Sequence, residues 1–186
     1  MSAKKQITKE TILEAAYEIV RSEGMDALNM RSLAKKCKCS TQPIYLSFSG
    51  AEEIKREVIS MGIANFNKFI EREIASGQYP EYKAIGMGYI RFAKEEKHMF
   101  KTLLMREGVS DLWGEDCFDN ALFVIMKNYG LYKEESYKLH TEMWLFVHGI
   151  ATMYATDFLD WDWETVSSMV TDVFLGLTNG GKGVNK

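Results

Sequence analysis

Between Asn29 and Phe48 the chain places four cations, Arg31, Lys35, Lys36 and Lys38, no carboxylate, and a polar run Ser40-Thr41-Gln42 that ends at Pro43. Cations at that density suit an anionic polymer, and Gln and Thr carry the donors and acceptors that pair with base edges. Met30, Leu33, Ala34 and Cys37 recur at i, i+3, i+4 and i+7, which predicts a short helix that buries this stripe and leaves the cations outside or on a turn. Ser40 is then expected to cap a second helix. Pro43 falls at its third position, where a missing N–H costs little. The side chains exposed at the start of that helix are expected to be Thr41, Gln42 and Pro43, with Tyr45 and Ser47 following. Two short helices joined by a tight turn make a helix-turn-helix, whose second helix brings its first residues to the bases.

Other groups able to do chemistry fit less well. Cys37-Lys38-Cys39 suggests a metal or thiol site, but zinc needs about four ligands. The remaining cysteine is far away at position 117, and Cys37 is expected to belong to the buried stripe. His140 and His148 stand eight residues apart, about 12 Å along a helix, too far to share a metal. No Gly-rich phosphate loop occurs, and Glu95 before His98 is the sole Glu-x-x-His pair, short of a dinuclear site. No metal or cofactor is expected, nor an enzyme. The competing classes are a dimeric, all-helical interaction or ligand-binding module that leaves DNA alone, and a helical enzyme.

The elements follow from a chain of 186 residues, 46% hydrophobic and 26% charged, with two prolines and no sustained β-branched alternation. That composition is soluble, globular and all-α. The start of the chain turns directly into an amphipathic pattern, so no secretory signal is expected. The longest apolar stretch, 143–155, is too short to cross a bilayer and reads as a buried core helix. Three cysteines without a signal argue for reduced thiols and a cytoplasmic location. Net charge is −3, unevenly spread. Residues 1–56 hold ten Lys/Arg against seven Asp/Glu, and residues 57–186 hold thirteen against nineteen. A basic head on an acidic body offers one end to phosphates.

Nine helices are expected. The first runs over 8–22, stopped by Gly24, and buries Ile12, Ala15, Ala16, Ile19 and Val20; the helix-turn-helix pair follows. A long fourth helix over 50–76 opens with a capping box, Ser49-Gly-Ala-Glu52, and carries Ile54, Val58, Phe66, Ile70 and Ile74 on one face. Gly77 and Pro80 break it. Further helices are expected over 82–95, 98–106, 116–129, 133–156 and 162–177, with a loop at 108–114 and a disordered tail over 179–186. The domains are placed at 1–50 for the helix-turn-helix and 51–178 for a helical ligand-binding and dimerisation part. The apolar and aromatic residues of the body, Met87, Phe92, Met99, Phe100, Leu103, Trp113, Phe118, Phe123, Met126, Trp144 and His148, read singly as ordinary core. Together, with eleven methionines in the chain, they leave room for an adaptable apolar cavity.

Ile12-Leu-Glu-Ala-Ala16, Gly24, Met30-Arg31-Ser32-Leu33-Ala34, Ser40, Ile44-Tyr45, Phe48 and Glu52-Glu53-Ile54 resemble, in order and spacing, the DNA-binding domain of the TetR family of transcriptional regulators. Two positions depart from the family pattern. Lys38 stands where a turn Gly is usual, and Ala51 where a phosphate-contacting Lys is usual, a contact that Lys55 or Arg56 could replace. The resemblance implies that Thr41, Gln42 and Pro43 face bases, while Arg31, Ser40, Tyr45 and Lys4-Lys5 contact phosphates or an adjacent minor groove. Trp144-Leu-Phe-Val-His148-Gly149 resembles a subgroup with a Trp…His-Gly signature on its eighth helix. The family further implies a homodimer through helices eight and nine on a palindromic operator of double-stranded DNA. It also implies a repressor's small-molecule effector in the body, whose identity the sequence does not give.

Overall fold

The computed structural model describes residues 7–105, 114–158 and 160–180, and every regular element among them is helical. The order is α1 (Lys9–Glu23), one 3-10 turn (Met25–Ala27), α2 (Met30–Lys36), α3 (Gln42–Ser47), α4 (Ala51–Ser76), α5 (Glu81–Glu95), α6 (Lys97–Leu104), α7 (Gly114–Tyr129), α8 (Lys133–Ala155) and α9 (Trp163–Gly180). The nine predicted helices are therefore present, with ends shifted by up to three residues. Lys4, Lys5, Trp113, the 108–113 part of the expected loop and the tail beyond 180 lie outside the described residues. Among those described, no helix is long and apolar enough to cross a membrane.

The chain divides into two compact units, one of residues 1–65 with 96–106, the other of 66–95 with 107–186. In the first, α1 buries Ile12, Ala16, Ile19 and Val20 against its neighbours, while Ala15 is half-buried. Helix α6 joins this unit through a charge. Arg21 Nε donates to both carboxylate oxygens of Glu96, at 2.9 and 2.7 Å, and Glu96 is 5% exposed. A carboxylate that buried needs its cation, because the interior does not solvate it. Close approach also matters here, since a Cβ on Gly62 would sit 2.7 Å from Met99 Sδ.

The apolar face expected on α4 holds at its start and fails at its end. Ile54, Val58 and Phe66 are buried, whereas Ile70 is half-buried and Ile74 is 38% exposed. At 100° per residue, Ile74 is rotated by about 200° from Ile54, so a spacing of four drifts off the core. Phe69 and Glu73 take the buried positions instead.

The second unit packs aromatic rings edge to face: Phe66 with Tyr89 at 5.6 Å and with Phe92 at 5.2 Å, and Phe69 with Phe92 at 5.4 Å. Such pairs add to the area they bury. Gly88 makes the close contact of α5 possible, because a Cβ there would lie 2.9 Å from the Ile70 Cα and 3.0 Å from the Phe69 carbonyl oxygen. The buried Glu73 is paired with Arg91, whose guanidinium lies 4.2 Å from the Trp163 ring centroid. Lys83 Nζ donates to Ser167 Oγ and Thr171 Oγ1, both at 2.7 Å, and ties α5 to α9. Two tyrosine–histidine pairs link α5 to α8, Tyr82 with His140 Nδ1 at 2.9 Å and Tyr89 with His148 Nδ1 at 2.7 Å.

Helix α8 is not the wholly buried core helix that its apolar run suggests. It buries one face with Leu139, Met143, Val147, Ile150 and Tyr154, but Trp144, Leu145 and Met153 are 41%, 60% and 38% exposed.

Replacing Gly88 by alanine is expected to lower the free energy of unfolding by about 2 kcal/mol, because the new methyl meets backbone that cannot rotate away. Urea denaturation measures it, and an unchanged midpoint would contradict the close approach. Burial lowers the His140 pKa from 6.5 to about 4, so the folded state favours the neutral ring. Its share of stability is complete above pH 6.5 and is lost as the pH falls from there to about 4. His140→Gln should flatten that part of a stability-versus-pH curve.

Candidate nucleic-acid interface

Helix α2 is held at both ends by its own sequence. Asn29 Oδ1 accepts from the backbone N–H groups of Arg31 and Ser32 at 3.1 and 3.0 Å, and Asn29 N–H donates back to Ser32 Oγ at 3.0 Å. This reciprocal cap, which the sequence reading missed, fixes Arg31 in the first turn with its side chain exposed. At the other end Lys38 N–H donates to the Lys35 carbonyl at 3.1 Å and Cys39 N–H to the Ala34 carbonyl at 3.0 Å. The two bonds form a Schellman closure around Lys38, whose φ is 52°. Lys38 thus occupies the left-handed position that glycine fills without steric cost.

Cys37 is half-buried rather than committed to the apolar stripe, because the helix ends there and leaves it as the C-cap. Met30 at the other end of the stripe is half-buried as well, so Leu33 and Ala34 carry the burial. Burial, followed by the nearby Cys39, pushes the Cys37 thiol up from its ordinary value.

Helix α3 begins one residue later than predicted, and Ser40 is not its cap. Thr41 is the cap residue, without a side-chain bond, and its carbonyl accepts from Ile44 and Tyr45 N–H, both at 3.1 Å. A capping side chain normally serves the N–H of the second or third helical residue. Here the second is Pro43, which has none, so less is gained by capping. Ile44 and Phe48 are buried at 0% and 3% exposure and seat the helix. Gln42, Tyr45 and Leu46 stand at i, i+3 and i+4 on its outward face, all exposed, with Leu46 at 81% and Tyr45 at 59%. Thr41, Pro43 and Ser47 are half-buried, and Ser47 Oγ donates to the Pro43 carbonyl at 3.0 Å. Leu46 was absent from the sequence reading, though the i+4 spacing from Gln42 places it on that face.

The start of α4 is fastened by Glu53, not by Glu52. Glu53 Oε2 accepts from Ser49 N–H at 2.7 Å and from Ser49 Oγ at 2.9 Å, while Lys9 pairs with Glu53 at 3.1 Å and lies 4.7 Å from the Phe48 ring centroid. The helix begins at Ala51, so Glu53 is the third helical residue, where a capping-box acid belongs. These bonds, the Ser49 N–H first, lower the Glu53 pKa from 4.5 to about 2. Glu52 pairs with Lys55 at 2.8 Å, and Arg56 is exposed.

The residues expected to line a cavity divide between the two units. Met99, Phe100 and Leu103 are fully buried in the first unit, whereas Met87 and Phe92 are fully buried in the second. Trp144 stacks on His148 with centroids 5.1 Å apart, and Phe123 and Met126 are 63% and 39% exposed on α7. Burial lowers the His148 pKa, in keeping with a packed, hydrogen-bonded histidine.

No family model matches the chain. Among curated proteins it is similar to the uncharacterized HTH-type transcriptional regulator YobS of Bacillus subtilis (strain 168), 21% identical over 174 residues that cover 91% of this chain and 90% of that protein. Among solved structures it is similar to a TetR-like transcriptional regulator from Rhodococcus sp. RHA1, with a TM-score of 0.66 at 13% identity, over 98% of this chain and 100% of that one. The fold is therefore that of a TetR-like regulator, all-α with a helix-turn-helix in its first unit.

Lys38→Gly is expected to stabilise the protein by about 1 kcal/mol, the relief of the left-handed strain less the entropy that glycine loses on folding. A fall in thermal midpoint would show that Lys38 is held there by something other than the closure.

Proposed function

We propose that the protein is a sequence-specific DNA-binding transcriptional regulator, and that α3 is its reading helix. The observation that carries this is the outward face of α3. Gln42, Tyr45 and Leu46 are exposed together there, and the stretch from Asn29 to Phe48 holds four cations and no acid. Gln42 supplies a bidentate donor and acceptor for a base edge, and Arg31 a guanidinium for phosphate. Ser40, Tyr45 and Thr41 stand beside them as backbone and base contacts. Lys4 and Lys5 extend the reading toward an adjacent groove. With Ala51 in place of a lysine, Arg56 is the better replacement for a phosphate contact, since Lys55 already pairs with Glu52. Both similar proteins, the HTH-type regulator of Bacillus subtilis and the TetR-like regulator of Rhodococcus, support the reading.

The finer picture is a cytoplasmic homodimer that pairs through α8 and α9 and sets one α3 on each half of a palindromic operator. Exposed apolar side chains on both helices, Tyr137, Trp144, Leu145 and Met153 on α8 and Leu175 on α9, support that interface. Repression relieved by a small molecule bound in the 51–178 part completes the proposal, on the condition that the ligand binds two conformations unequally.

DNA from upstream of the protein's own gene and its neighbours is the test substrate, with binding followed by fluorescence anisotropy at several salt concentrations. Gln42→Ala should weaken selective binding about 5- to 150-fold, in line with about 1–3 kcal/mol per base contact, and Tyr45→Ala should weaken retention of every fragment. Arg31→Ala should weaken binding to all sequences and reduce the salt slope. Equal binding of wild type and Gln42→Ala to every fragment would overturn the reading.

A further inference from the structure

The turn between α2 and α3 carries two of the chain's three cysteines, Cys37 and Cys39. Both are half-exposed, and they flank the single residue Lys38. The backbone keeps both residues in one tight turn. Cys37 is the C-cap of α2, Cys39 is the second residue beyond it, and the left-handed Lys38 between them folds the chain back through the closure bonds at 3.1 and 3.0 Å. Among the described residues no group of three or more His, Cys, Asp or Glu could hold a metal ion, so a four-ligand zinc cage is not on offer. Two adjacent thiols suit instead a soft acceptor that needs two sulfurs and brings its own third substituent. A linear acceptor asks for sulfurs on opposite sides. A pyramidal one takes both from the same side, as two thiols that flank one residue can supply them.

We propose that Cys37 and Cys39 form a dithiol site for trivalent organoarsenicals, and that its occupation weakens binding to DNA. An oxide R–As=O reacts with both thiols: two S–H bonds break, two As–S bonds form, and the oxo oxygen leaves as water with the two protons. Arsenic stays trivalent, so no oxidant or reductant takes part. The chelate ring spans the residues that close α2, and the organic substituent stands beside Ser40, Thr41 and Gln42, where α3 begins. Capture of the ligand is independent of the DNA-binding proposal; the effect on DNA rests on it.

The experiment uses the full chain and phenylarsine oxide, with intact-mass spectrometry as the readout. Wild type and Cys117→Ser should each retain one equivalent at the turn in excess 2-mercaptoethanol and lose it to a dithiol such as dimercaptopropanol, because only a chelate resists monothiols. In the Cys117→Ser background, Cys37→Ser and Cys39→Ser should each lose retention at least tenfold, with circular dichroism checking that both variants remain helical. Cys39→Ser lies outside the helix and keeps the test usable if Cys37→Ser unfolds. Retention in Cys39→Ser equal to its parent, or release from the parent by monothiol, would overturn the site. Loading should weaken DNA binding at least tenfold, reversibly with dithiol. Unchanged DNA affinity after full loading overturns the coupling and leaves the site standing, whereas no selective DNA binding before loading overturns the DNA reading itself.

Discussion

Helices of seven and six residues have almost no stability of their own, because isolated helices below about 12–15 residues do not persist in water. The geometry of α2 and α3 therefore depends on what closes the chain around them. Three devices do so: the Asn29–Ser32 cap, the closure at Lys38, and the burial of Ile44 and Phe48. Of these the closure is the one that sets direction, since the left-handed residue turns the chain out of α2 and aims it into α3. The outward positions of Gln42, Tyr45 and Leu46 inherit their placement from it, while Arg31 owes its own to the cap. That a lysine fills the position shows how strongly the surrounding contacts determine the turn, because the chain accepts a local cost to keep it.

Much of this was legible in the sequence, for reasons that differ from element to element. The nine helices could be read because apolar spacing and breakers such as Gly24, Gly77, Pro80 and Gly130 mark helices whatever their tertiary neighbours. Ends were less legible. Ser40 looks like a cap until Pro43 is placed second in the helix, and Glu52 looks like a capping-box acid until the helix start at Ala51 makes it Glu53. The long face of α4 misled because a four-residue spacing is not the helical period, and over 20 residues the error amounts to more than half a turn. In the body, helical spacing marks burial but does not say in which unit. Met99, Phe100 and Leu103 follow Met87 and Phe92 closely in sequence, yet α6 belongs with the first unit.

Charge was legible as a balance and not as an arrangement. The acidic excess of residues 57–186 suggests carboxylates on a surface, but Glu73 and Glu96 are nearly fully buried, each against an arginine. A pair of this kind adds little over a well-packed apolar pair, while loss of one partner leaves a buried charge without compensation. Its effect is on specificity. Glu96 accepts α1 where Arg21 stands, and Glu73 accepts α5 where Arg91 stands, so neighbouring registers that would bury similar apolar area are disfavoured.

The Glu73–Arg91 anchor also fixes how α5 can move on α4. Helix α4 is continuous from Ala51 to Ser76 and contributes to both units, with Ile54, Val58 and Gly62 in one and Phe66, Phe69 and Glu73 in the other. Sliding α5 along α4 is resisted by the backbone approach at Gly88 and by the Glu73–Arg91 pair. Packed interfaces of this kind switch between discrete arrangements and do not deform continuously. Moving α5 along α4 therefore requires both contacts to break together. The thiol pair at Cys37 and Cys39 stands under no such requirement. It lies on the turn that aims α3, so a ligand held there would sit directly beside the proposed reading helix.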